Sequence, residues 1–128
     1  MNSPLIAEPT MIGLSEKSHI LLKRLKDDEH FAEMADAYRF GIALALAHGV
    51  VPHEPPSPRT TIFSVATIDP DREIANAVRM LADTQDVPIY RWIERLAEWG
   101  VNELARRAEG GDIDFGALLA EAAASEKG

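Results

Sequence analysis

TMIGLSEKSHILLKRLKDDEHFAEMADAYRFGIALALAHG, residues 10–49, reads as a short strand, a turn and two helices with closely spaced apolar faces. Residues 10–14 are the strand. Ser15 is placed to cap the first helix, and Glu16 suits the positive end of its dipole. Ile20, Leu21, Leu22 and Leu25 form the apolar side, and Asp27, Asp28 and Glu29 discourage continuation. The second helix is expected over about 32–48, with Met34, Tyr38, Ile42 and Ala45 in helical spacing. Ala35, Ala37, Ala43 and Ala47 permit close approach, and Gly49 is a helix stop. A strand this brief and a two-helix hairpin cannot bury their apolar sides alone. They need a second copy or the rest of the chain, which favours an interaction module over a self-contained catalyst.

Working outward, residues 1–9 read as a flexible tail, with Pro4 and Pro9 opposing helix. On the other side, four prolines between 52 and 58 make residues 50–59 a stiff, extended linker. Residues 60–66 suit a short strand or an extended arm. Asp69-Pro70 is a helix start, with Asp as cap and Pro in the first turn. That third helix carries Ile74, Val78 and Leu81 inward and ends near Asp83. A fourth is expected from Pro88 to about Arg107, with Ile89, Ile93, Leu96, Gly100 and Leu104 on its apolar face. A last short helix, 115–124, follows Gly110-Gly111. The expected fold is mainly α: a strand–helix–helix unit over 10–49, then a helical part over 60–124 that includes a C-terminal helical hairpin. At 128 residues the chain suits one domain.

Composition removes several chemistries. No cysteine is present, so there is no disulfide framework, thiolate metal site or cysteine nucleophile. The longest apolar run, 40–47, falls far short of the ~20 residues that cross a bilayer. The N-terminus lacks the basic start and apolar core of a signal peptide, so a cytoplasmic protein is expected. Thirteen Lys and Arg face 21 Asp and Glu, a net charge of −8, whereas nucleic-acid binders usually carry a basic excess. The imbalance is uneven. Residues 16–26 hold Lys17, Lys23, Arg24 and Lys26 against Glu16 alone.

Catalytic patterns are poor. His19, His30, His48 and His53 lack the converging spacing of a zinc site and read as surface or capping residues. Asp69 and Asp71 read as a cap and a first-turn acid. Glu94, Glu98 and Glu103 interleave with Arg91, Arg95, Arg106 and Arg107, the pattern of a solvated face with intrahelical pairs. There is no glycine-rich phosphate loop, nucleophile elbow or Rossmann fingerprint. No enzyme activity and no cofactor is expected. Trp92 and Trp99, seven apart, form a stripe beside the apolar face of the fourth helix, suited to a broad buried face or to a protein interface. Arg39 is expected to pair with an acid such as Asp36 or Glu29, or across a subunit contact.

The strand–helix–turn–helix order resembles the ribbon–helix–helix fold, which pairs through its strand. Ile12 and Leu14 would then face inward as the pairing interface, Leu22 and Leu25 would line the first helix, and Met34 would open the second. DNA-reading members present polar or basic outward strand residues to the major groove. Those positions here are Met11 and Gly13, which cannot read base edges by hydrogen bonding.

The order IGLSEKSHILLKRLK, then RTT, DPDREI and ERLAEWGVNELARR, also resembles the DndE family of bacterial DNA phosphorothioation systems, over residues 10–107. The resemblance implies a helical, self-associating, non-enzymatic accessory or scaffold subunit of a DNA-modification or phage-defence complex. It implies DNA-backbone contact through lysines of the first helical region, here Lys17, Lys23, Arg24 and Lys26. The expected partners are thus further copies, proteins of such a complex and DNA backbone, with no membrane. Two alternatives stand beside it: a ribbon–helix–helix regulator or antitoxin whose acidic half grips a basic toxin, and a helical adaptor unrelated to DNA.

Overall fold

Ser15 closes one element and opens the next. It ends strand β1 (Met11–Ser15), and its hydroxyl accepts the Ser18 N–H at 3.1 Å to cap helix α1 (Glu16–Asp27). The computed structural model describes residues 8–118 and 120–121. After α1 come α2 (Met34–Ala47), β2 (Arg59–Ser64), α3 (Val65–Ile68), α4 (Glu73–Leu81) and α5 (Ile89–Ala108). Residues 115–118 and 120–121 are again helical; the other residues of the last expected helix, and most of the expected tail, lie outside the described residues. The chain is mainly α, with a two-stranded sheet.

The partner of β1 is β2 of the same chain, antiparallel, with Leu14 opposite Thr60 and Ile12 opposite Phe63. The ladder slips between Ile12 and Gly13, leaving Ile62 as the extra residue of a bulge. Bonds from Val65 N–H to the Thr10 carbonyl and from Glu16 N–H to the Pro58 carbonyl, both 2.9 Å, bracket it. Even-numbered residues of β1 therefore turn their backbone toward β2. The expected pairing of β1 with a second copy is corrected on that ground, because its ladder is filled from within the chain.

The other edge of β1 is closed by side chains. Glu94 accepts the Gly13 N–H at 2.7 Å, Glu98 accepts the Ser15 N–H at 2.9 Å, and the Tyr38 hydroxyl donates to the Gly13 carbonyl at 2.9 Å. Two carboxylates four apart on α5 thus take the place of a third strand. A strand with both edges satisfied is no template for further pairing. Gly13 is required where it stands: a Cβ there would lie within 3.0 Å of three backbone atoms of Thr60 and Thr61.

Helix α5 is the centre of the molecule. It packs chiefly along α2 and also touches α1, β1 and α4. Ile89, Ile93, Leu96, Gly100 and Leu104 are buried, as their spacing predicts, and a single core runs from Ile12 to Leu118. Gly41 of α2 and Gly100 of α5 meet backbone to backbone. Phe31, Phe40 and Phe115 stack with centroids 5.2–5.8 Å apart and bring the last helical segment against α2.

Two caps act over unexpected distances. Asp69 does cap a helix, but that helix begins at Glu73. Its buried carboxylate reaches across a turn to the N–H groups of Ile74 and Ala75 at 2.9 and 3.0 Å, and accepts the Tyr90 hydroxyl at 2.8 Å. Glu8, expected to lie in a free tail, accepts the N–H groups of Ile89 and Tyr90 at 2.8 and 3.0 Å and so caps α5. Arg39 pairs with Asp36 at 3.3 Å as expected, and also donates to the Thr67 and Ile68 carbonyls that end α3.

Candidate nucleic-acid interface

Helix α1 is fixed by its inner side. Leu22 and Leu25 enter the core, and the Ser18 hydroxyl donates to Glu98 at 2.5 Å while accepting Asn102 at 2.7 Å. Its outer side is consequently held in one orientation. Lys17, Lys23, Arg24 and Lys26 are all exposed, and none makes a side-chain hydrogen bond or ion pair among the described residues. At ~100° per residue, Lys17 and Arg24 are nearly aligned, Lys23 lies about a third of a turn away, and Lys26 marks the far edge. Ile20, 54% exposed, lies inside that arc. Glu16 and Asp27 share it, so the helix is two charges positive within a chain of net charge −8.

His19, half-buried, lies near the Lys26 edge of this face. Burial first, and the neighbouring Lys23 second, lower its pKa below the usual 6.5. The imidazole is therefore biased toward its neutral form, and α1's outward charge rests on its lysines and arginine.

The expected interface residues fare differently. Ile12 and Leu14 are both 0% exposed, because β2 and α5 cover them within the chain; their placement at an intermolecular interface is corrected. Trp92 is buried too, with its indole N–H lacking any acceptor among the described residues. Trp99 is half-buried, its ring 5.9 Å from that of His48. Met11 is exposed and Gly13 is buried under Glu94, so neither forms part of a groove-reading ribbon.

The acidic run on α5 also needs correction. Glu94 is 1% exposed, not solvated, and Glu98 is tied to Ser15 and Ser18. Glu103 makes the expected intrahelical pairs, with Arg106 and Arg107, and Glu94 makes one with Arg91 despite its burial. Arg106, then Arg107, hold its carboxyl below the usual carboxylate range, against the opposing effect of burial. Glu94 further accepts Arg59 at 2.6 Å and Arg91 at 3.1 Å, and with Arg95 these arginines line a cleft that local patterning did not mark. A signal existed: at ~100° per residue Glu94 falls only about 20° from Val101, on the flank of the apolar face.

Among the described residues, no group of three or more His, Asp or Glu is placed to hold a metal ion, and no helix is long and apolar enough to cross a membrane. No protein-family model, curated protein or solved structure matches the chain.

Proposed function

We propose that this chain is a non-enzymatic accessory subunit that contacts the DNA backbone through the outer face of α1. The setting is the one its DndE resemblance implies, a DNA-modification or phage-defence complex. The observation that carries the proposal is the exposure of four cations on one rigidly held helix, none of them engaged by a carboxylate among the described residues. Unpaired Lys and Arg release counterions when they meet phosphates, and this drives binding without reference to sequence. The acidity of the remainder keeps such contact weak. Self-association is no longer supported through β1, whose two edges are satisfied within the chain.

Fluorescence anisotropy with labelled duplexes of unrelated sequence tests the proposal. Binding at low salt is expected to be equal for the duplexes. With four phosphate contacts, log K falls against log salt with a slope of about −3.6. Replacing Lys17, Lys23, Arg24 and Lys26 by glutamate abolishes contact through α1, and with it that share of the affinity and of the salt slope. Absence of binding at low salt, or an affinity and salt slope unchanged by the four replacements, would overturn the proposal. A single stoichiometric protein partner without DNA binding would then favour the adaptor reading.

A further inference from the structure

A cleft of about 370 Å³ opens between the proline-rich arm, the start of β2 and the first turns of α5. Arg59, Arg91 and Arg95 line it, together with Glu94, Glu54 and Asp86. The acids are not equivalent. Glu94 is buried and committed: one oxygen takes the Gly13 N–H, and the other takes an Nη1 group from each of Arg59 and Arg91. Glu54 and Asp86 are exposed, where water screens their charge.

A guanidinium carries five N–H donors. Arg59 and Arg91 direct one nitrogen each to Glu94 and retain the others, now on anchored side chains. Arg95, one turn beyond Arg91, makes no side-chain hydrogen bond or ion pair among the described residues. Half-buried in the cleft wall, it has the chemistry of an oxyanion ligand without an oxyanion.

We propose that this cleft binds a phosphate group, with Arg95 as its principal ligand and Arg59 and Arg91 as supporting donors held in place by Glu94. Planar guanidinium forks on two different elements match the several oxygens of a phosphate better than a lone carboxylate does. The phosphate belongs either to a small molecule such as a mononucleotide or to a nucleic-acid backbone. The cleft is separate from the α1 face, and the proposal holds whether or not that face binds DNA.

The test is an NMR titration of the full chain, following backbone amides and the arginine Nε–Hε signals. Inorganic phosphate is added against sodium chloride at matched ionic strength. Saturating shifts at Arg91 and Arg95 are expected. Arg95→Gln should weaken binding about tenfold or more, with Arg95→Lys intermediate. Since Arg95 has no intramolecular ion pair among the described residues, these variants should keep the native spectrum elsewhere. Two further titrations, on a chain whose four α1 cations are replaced by glutamate, identify the source. Saturation by adenosine monophosphate alone assigns a small ligand, and saturation by a short duplex assigns backbone phosphate. Shifts that merely follow ionic strength, or that persist unchanged in Arg95→Gln, overturn the proposal.

Discussion

Replacing Gly100 by alanine adds one methyl group where α2 and α5 touch through their backbones. A Cβ at that position would lie within 3.0 Å of the Gly41 oxygen, carbonyl carbon and Cα. No rotamer change can relieve this, since every obstructing atom belongs to the α2 main chain. Two effects oppose each other. Alanine gains about 1 kcal/mol over glycine in a helix interior, whereas overpacking a dense core costs about 1–3 kcal/mol and occasionally more. Here the clash is with backbone on the longest helix contact, and separating the helices also loosens Ile42, Ala45, Leu96 and Ala97, all buried. The cost should therefore sit at or above the top of that range, for a net loss of about 2 kcal/mol or more. Gly41→Ala is the internal comparison. Its Cβ would meet Gly100 and Val101 at 3.1 Å, a shift of only a few tenths of an ångström, so propensity should nearly cancel strain. Urea unfolding followed by circular dichroism reads both. With m of about 1–2 kcal/mol/M, Gly100→Ala should lower the midpoint by about 1–2 M at unchanged m. A Gly100→Ala protein as stable as the parent, or less affected than Gly41→Ala, would refute the backbone contact.

Four further outcomes follow from the same packing. Trp92→Phe removes a buried N–H without an acceptor among the described residues, so no hydrogen bond is lost and its cost is that of the ring volume removed, about 1–2 kcal/mol; a cost matching that of Trp92→Ala in urea unfolding would contradict this. Burial, then Glu94 and Glu98, push the Tyr38 phenol well above the usual 10. The unfolded chain therefore loses this proton first, so the stability Tyr38 confers is complete below about pH 10 and declines as pH rises toward the folded value; Tyr38→Phe should flatten that decline in alkaline denaturation. Phosphates arriving beside Lys23 should raise the lowered pKa of His19, which NMR titration with and without duplex can follow; an unmoved His19 would place DNA elsewhere. Glu94→Ala strands the buried Gly13 N–H at a cost of about 1–3 kcal/mol before loss of the arginine pairs is counted, while Glu94→Gln keeps an acceptor and should cost less; equal effects in thermal unfolding would mean the Gly13 bond contributes nothing.

What was legible in the sequence was what neighbouring residues decide. The apolar spacing of α5 located its buried face through Ile89, Ile93, Leu96, Gly100 and Leu104. The Ser15 cap and the end of α2 before Gly49 were equally local. So were the α1 cations, since a run of charges between core-facing leucines must point outward. The failures share a different physics. Whether β1 pairs with RTTIFS of its own chain or with a second copy depends on closing the long loop between them, and alternation within a five-residue strand carries no record of that. Glu8 and Glu94 were misplaced for the same reason. Each satisfies backbone groups some 81 residues away, so neither helical periodicity nor local charge balance could reveal its partner. The arginine cleft was missed because β2 supplies Arg59 and α5 supplies Arg91 and Arg95.

Glu94 and Glu98 join the two candidate surfaces mechanically without making them one site. Glu98 holds Ser15 and Ser18 at the start of α1, so it fixes the orientation of the cationic helix. Glu94, one turn earlier on α5, holds β1 through Gly13 and sets Arg59 and Arg91 at the cleft. Both carboxylates sit on a single unbroken helix clamped against α2 at Gly100. Energetic coupling between sites needs an element with two arrangements that each ligand can bias. In the structure Glu94 and Glu98 hold their backbone and hydroxyl donors in a single arrangement. Phosphate in the cleft should therefore leave duplex affinity at α1 unchanged once ionic strength is matched, and the two losses in a combined variant should add. Duplex binding that responds to cleft occupancy would show instead that a single nucleic-acid track runs from Arg95 past Arg59 to Lys17.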